Sequence, residues 1–163
     1  MRLARSIRKI PCVLPFLAYG LALAALTPGI VISASFEEPS KIAIVLDSDI
    51  YVMDPDGGNM RQLTHDLELV RFPAWSPDGK KIAFTSGHSW SSAEIYVMNA
   101  DGTNLTNLTN HPNTDFGPSW SPDGKRIAFV SHRFHYGGHI YVMNADGTLP
   151  TKLTDRRLDE YPI

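Results

Sequence analysis

The chain has 163 residues, enough for one ordinary domain, with 43% hydrophobic and 20% charged residues. The formal charge is −2, but the first 34 residues hold four basic groups and no acid, leaving 11 basic against 17 acidic residues, a net of −6, in the remainder. Such an acidic body argues against a nucleic-acid partner, which calls for a basic face, and Cys12 as the single cysteine excludes an intrachain disulfide.

Arg2, Arg5, Arg8 and Lys9 precede an uncharged run from Ile10 to Ala34 that ends in small residues. A basic region, an apolar region and a small-residue end are the order of a secretory signal, predicted over residues 1–34. Ala34 is one cleavage point, and Ala22-Leu23-Ala24 offers an earlier one. The alternative is an uncleaved anchor, since 25 uncharged residues could span a bilayer. Pro11, Pro15, Pro28 and Gly29 interrupt the run and favour the signal. Either reading exports the rest of the chain to the periplasm or beyond, with no membrane contact outside this segment.

A polar linker, residues 35–40, leads into three repeats at a step of 45 residues. One phrase reads Trp75-Ser76-Pro77-Asp78-Gly79-Lys80-Lys81-Ile82-Ala83-Phe84 and returns as Trp120 to Phe129. A second runs Ile50-Tyr51-Val52-Met53, Ile95 to Met98 and Ile140 to Met143, each followed by a turn ending in Gly57, Gly102 or Gly147. Gln62-Leu63-Thr64, Asn107-Leu108-Thr109 and Lys152-Leu153-Thr154 close the units, which run over about 41–79, 80–124 and 125–163. The β-prone runs are almost continuously apolar, which predicts strands buried on both faces. Ser-Pro-Asp-Gly suits a type I turn, with Pro presetting φ and Gly free to take a positive one. Four short antiparallel strands per unit of this length predict an all-β fold of β-propeller blades, about three of them, with no helix after residue 34.

The phrase Trp-Ser-Pro-Asp-Gly-Lys-Arg-Ile-Ala-Phe, followed by Ile-Tyr-Val-Met-Asn-Ala-Asp-Gly, closely resembles the WD-like propeller repeat of the TolB family, over Lys41 to Ile163. The resemblance implies a bacterial periplasmic propeller that is not an enzyme, needs no cofactor and binds an envelope protein or lipoprotein. The same blades precede the hydrolase domain of prolyl-oligopeptidase-like peptidases, so a propeller segment of a peptidase or polysaccharide lyase is the second reading. No Gly-x-Ser-x-Gly elbow occurs in the chain. Propellers close with four to eight blades. The expectation is therefore a fragment of a longer chain or, less favoured, two copies that complete a six-bladed ring.

Candidate binding residues lie in the loops between second and third strands. Trp90 stands among Ser89, Ser91 and Ser92, and Arg133, Phe134 and Tyr136 occupy the matching loop one unit later. Exposed aromatic and arginine side chains are favoured at docking surfaces. His132, His135 and His139 invite a metal reading, but loop histidines without acidic partners read better as solvated. Asp54, Asp56 and Asn59 resemble the start of a calcium loop without its closing Glu, so a plain turn is expected. No metal ligands are assigned.

Overall fold

Short apolar runs punctuated by Gly turns become short strands. The computed structural model describes residues 41–133 and 137–155. The leader 1–34, the linker 35–40, Phe134, His135, Tyr136 and the chain beyond 155 lie outside the described residues. Among the described residues no helix is long and apolar enough to cross a membrane.

The first sheet contains β1 (Ile42–Leu46), β2 (Asp49–Met53) and β3 (Arg61–Gln62). The second contains β4 (Arg71–Trp75), β5 (Lys81–Ser86), β6 (Glu94–Asn99) and β7 (Thr106–Asn107). The third contains β8 (Asp115–Trp120), β9 (Arg126–Ser131), β10 (His139–Asn144) and β11 (Thr151–Lys152). Strands neighbour one another in sequence order within each sheet, and every ladder is antiparallel. These are propeller blades of four strands, the first showing three. The second and third sheets each gather their own Trp-bearing strand, β4 and β8, so these blades begin near residues 71 and 115, out of phase with the sequence units. A single 3-10 turn, Trp90–Ser92, is the helical element among the described residues.

Burial on both faces holds for the middle blade alone. In β5 every residue after Lys81 is buried, because this sheet has a neighbour on each side. In β9 and β10 burial alternates along the strand, and β1 leaves Ile42, Val45 and Leu46 about 40% exposed, at 40%, 38% and 43%. Among the described residues the first and third sheets each pack against the second alone, so one face of each is covered by that neighbour. Ile50, Val52, Leu63, Val70, Ile82, Phe84 and Met98 form the core between first and second blades. Ala83, Ile95, Ile127, Phe129, Tyr141 and Met143 form the core between second and third.

The closing Leu-Thr phrase carries two contacts. The hydroxyls of Thr64, Thr109 and Thr154 accept the N–H of Ile50, Ile95 and Ile140 at 2.8, 3.0 and 3.0 Å. The adjoining leucine receives the glycine turn of the next blade. A Cβ at Gly102 would stand 2.8 Å from the Leu63 carbonyl oxygen, and one at Gly147 would stand 2.8 Å from that of Leu108. Only glycine allows this approach.

The Ser-Pro-Asp-Gly turns form as predicted. Gly79 (φ 68°) donates its N–H to the Ser76 carbonyl, and Gly124 (φ 67°) does the same to Ser121, both at 2.9 Å. The Ser76 hydroxyl donates to Asp78 at 2.6 Å, and the Lys80 N–H follows at 3.1 Å. The hydroxyl first, then that backbone N–H, holds the Asp78 carboxyl below the ordinary aspartate range; Ser121 and Lys125 do so for Asp123. A carboxyl with a depressed folded pKa stabilises the fold above its unfolded pKa, about 3.9. That contribution disappears as pH falls through the folded value. The double variant Asp78→Asn/Asp123→Asn is therefore expected to show a flatter fall in stability below about pH 4. Urea titrations across pH 2–5 measure this, and an unchanged slope contradicts it.

Candidate functional site

The antiparallel register brings the starts of β4 and β8, the ends of β5 and β9 and the starts of β6 and β10 to one end of the blades. Arg71 pairs with Thr85, Asp115 with Ser131, and Ser86 with Glu94. The long loops carrying the candidate residues emerge at this end.

Trp90 lies here, 47% exposed, beside Phe72, 48% exposed. The ring centroids of Phe72 are 6.4 Å from Trp90 and 6.3 Å from Phe116. Trp90 meets Phe116 edge-on at 5.9 Å, and Phe116 meets His132 edge-on at 5.6 Å. The Arg71 guanidinium sits 5.6 Å above the Trp90 ring, a cation–π contact. The Trp90 carbonyl accepts the Thr114 hydroxyl at 2.6 Å, which ties its loop to the third blade. The result is a patch of three aromatic rings with a cation at its edge, spanning two blades.

Phe72 holds an unusual backbone. A register irregularity interrupts the β4–β5 ladder between Arg71 and Ala74, and another interrupts β8–β9 between Phe116 and Ser119. At each bulge one residue turns to positive φ. In the third blade it is Gly117 at 66°, and 45 residues earlier it is Phe72 at 53°. A phenylalanine in this region costs about 1–3 kcal/mol, a strain that concentrates at functional positions.

Arg133, expected on the loop surface, turns inward. Its guanidinium donates to Asp115 at 2.9 Å, with the Arg133 side chain 16% exposed and that of Asp115 fully buried. It also lies 5.4 Å from the Tyr141 ring and 5.8 Å from that of Phe129. Asp115 Oδ1 and Arg133 Nε are buried with no partner among the described residues. Glu94 lies close by, 8% exposed, accepting the Thr109 hydroxyl and, at 2.9 Å, the His111 N–H. Loss of hydration raises its pKa, and the Asp115 charge adds to the rise. Phe134 and Tyr136 lie outside the described residues.

Neither metal reading gains a ligand set. His132 packs on Phe116 and the His139 ring meets the Thr154 carbonyl at 3.1 Å, while His135 lies outside the described residues. Asp54 is engaged by Lys41 and by Asn59 at 2.6 Å. No group of three His, Cys, Asp or Glu side chains placed to hold a metal ion occurs among the described residues. At the opposite end a groove runs between the two Ser-Pro-Asp-Gly turns, lined by Pro77, Trp120 and Pro122. Its carboxylates, Asp78 and Asp123, are engaged by their own turns.

A model of the Tricorn protease N-terminal beta propeller domain matches residues 37–160. The Tol-Pal system protein TolB of Blochmanniella pennsylvanica is 50% identical over 44 residues, which is 25% of this chain and 10% of that protein. The TolB structure from Acinetobacter baumannii aligns with TM-score 0.58 at 26% identity, covering 66% of this chain and 26% of that one. A structure assigned as TolB from Agrobacterium tumefaciens aligns with TM-score 0.59 at 28% identity, covering 69% and 43%. The chain thus matches a tenth of the curated relative's length and less than half of either structure.

Proposed function

Because the chain belongs to the Tricorn protease N-terminal beta propeller domain family, with TolB-like blades, we propose that it is an exported, non-enzymatic module that docks an envelope protein. The docking surface is the Phe72–Trp90–Phe116 patch. The observation that carries this reading is Phe72 itself. A large apolar side chain is held half exposed on a backbone that suits glycine, and its homologous position is glycine. Exposed aromatic rings beside an arginine are the composition of interface hot spots, and here Phe72 and Phe116 come from strands and Trp90 from the turn between β5 and β6. The basic leader and apolar run at residues 2–34 support export.

Site-directed photo-crosslinking tests it. A benzophenone-bearing phenylalanine in place of Trp90 is expected to give discrete protein adducts in intact cells. The same residue in place of Lys80, exposed at the other end of the blades, is expected to give none. Equal adducts from both positions, or none from residue 90, overturn the proposal.

A second reading has one observation in its favour: the matching family model describes a protease's propeller domain. In that reading the patch faces a catalytic domain, and the adduct from residue 90 contains a hydrolase.

A further inference from the structure

Five Asp-Gly pairs punctuate the chain: Asp56-Gly57, Asp78-Gly79, Asp101-Gly102, Asp123-Gly124 and Asp146-Gly147. All five sit in turns, every aspartate is exposed, and every glycine takes a positive φ between 67° and 89°. In each turn the glycine N–H donates at 2.9 Å to the carbonyl three residues before it. Asp-Gly is the pair in which a carboxyl meets the least hindered backbone nitrogen, because glycine has no Cβ. The five turns share that backbone chemistry.

They differ in the grip on the carboxylate. Asp78 accepts the Ser76 hydroxyl and the Lys80 N–H, and Asp123 accepts the Ser121 hydroxyl at 2.5 Å and the Lys125 N–H at 3.0 Å. Thr103 gives Asp101 its hydroxyl at 2.6 Å and its N–H at 2.9 Å, and Thr148 gives Asp146 the same pair at 2.6 and 3.0 Å. The hydroxyl first, then the backbone N–H, holds these four carboxyls below the usual aspartate range and so keeps them ionised, the unreactive form. Asp56 lacks the hydroxyl. Glycine stands at position 58, where Thr103 and Thr148 stand 45 and 90 residues later, and its N–H at 2.8 Å is the one donor to the Asp56 carboxylate among the described residues.

The surroundings separate the turns as well. A Cβ at Gly102 or Gly147 would strike the blade before it, whereas one at Gly57 would meet nothing within 4 Å among the described residues. Gly79 is equally open, but its Asp78 is doubly held. Asp56-Gly57 alone combines an open turn with a carboxylate held by one donor.

We propose that Asp56-Gly57 is a site of covalent self-modification, passing through a succinimide to isoaspartate ahead of the other four Asp-Gly pairs. The Gly57 nitrogen attacks Asp56 Cγ in its protonated carboxyl form. An N–Cγ bond forms, and the amide proton and the carboxyl hydroxyl leave together as water. Water then adds back to the ring. Addition at Cγ restores aspartate, while addition at the Asp56 main-chain carbonyl breaks its bond to the Gly57 nitrogen and leaves the chain running through the side chain. No oxidant or reductant is involved. The product inserts one methylene into the turn whose closing bonds are Gly57 N–H to the Asp54 carbonyl and Asp54 N–H to the Gly58 carbonyl, both 2.9 Å. It also frees an α-carboxylate, the methyl acceptor of an S-adenosylmethionine-dependent isoaspartyl methyltransferase.

The test is to incubate the folded full chain in mildly acidic buffer at body temperature. Total isoaspartate is counted by methyl transfer from labelled S-adenosylmethionine with a purified isoaspartyl methyltransferase, and each site is located by peptide mass spectrometry with electron-transfer fragmentation. Asp56 is expected to convert about tenfold faster than any of the other four, the effect of one hydrogen bond to a charged group. Gly58→Thr restores the missing hydroxyl and is expected to slow Asp56 to the rate of Asp101. Misfolding would speed every site, so it cannot imitate that fall. Thr103→Gly is the converse and is expected to raise Asp101 alone to the rate of Asp56. In urea the five pairs should converge. Equal rates in the folded chain, an earlier conversion at another Asp-Gly pair, an Asp56 rate untouched by Gly58→Thr, or the same lead for Asp56 in urea would each overturn the proposal.

Discussion

Arg133→Met is expected to lower the unfolding free energy by about 3–5 kcal/mol, the range found when one partner of a buried ion pair is removed. Asp115 is fully buried, and its Oδ2 has the Arg133 guanidinium as its charged partner. Methionine keeps an apolar stem against Phe129 and Tyr141 but leaves the carboxylate uncompensated. The wild-type pair is itself incompletely satisfied, since Asp115 Oδ1 and Arg133 Nε have no partner among the described residues. The double variant Arg133→Met/Asp115→Leu should therefore recover most of the loss, because replacing both charges removes the desolvation cost with the attraction. Equilibrium urea unfolding of the three variants decides this. A loss under about 1 kcal/mol for Arg133→Met would show that water reaches the carboxylate.

Phe84→Ala is expected to cost about 3–5 kcal/mol, from lost burial and from the cavity left behind. Phe84 is fully buried in the core between first and second blades and stacks on Tyr96 with centroids 5.9 Å apart. It lies in the cluster that joins the first sheet to the second, so the effect has a direction in space as well as a size. The amides of Ile50 and Val52 should lose exchange protection before those of Ile127 and Phe129, which belong to the second core. Uniform loss across both cores would mean that the blades unfold as one cooperative unit.

The blades were legible because the repeat restates each strand and turn at a fixed step, and because Gly after Ser-Pro-Asp has one conformational use. The backbone repeats even where the side chains differ: Asn59, Asn104 and Leu149 stand 45 residues apart, all at positive φ near 50–56°. Both-face burial was over-predicted for β1 and β9, since apolar composition shows what a strand can bury and not whether a neighbour is there. Trp90 was found as an aromatic in a serine loop. Phe72 was missed, because it lies on a strand and its significance is a φ angle that the sequence does not print. Comparison with Gly117, its counterpart in the next unit, was the available signal. The inward turn of Arg133 was equally hidden, since Asp115 is 18 residues away on another strand. The His88 ring meets Glu68, from the segment before β4, at 2.6 Å, a contact 20 residues apart that the sequence does not announce.

Docking through the patch is tested most directly by Phe72→Gly in the chain that carries the photo-reactive residue at position 90. Glycine suits the bulge, so the account predicts a thermal midpoint held or raised. It also predicts a crosslinked adduct reduced about thirtyfold, the loss of a hot-spot aromatic worth about 2 kcal/mol. An adduct of unchanged yield on a stabilised protein would show that Phe72 is strain without a docking role, and would contradict the account.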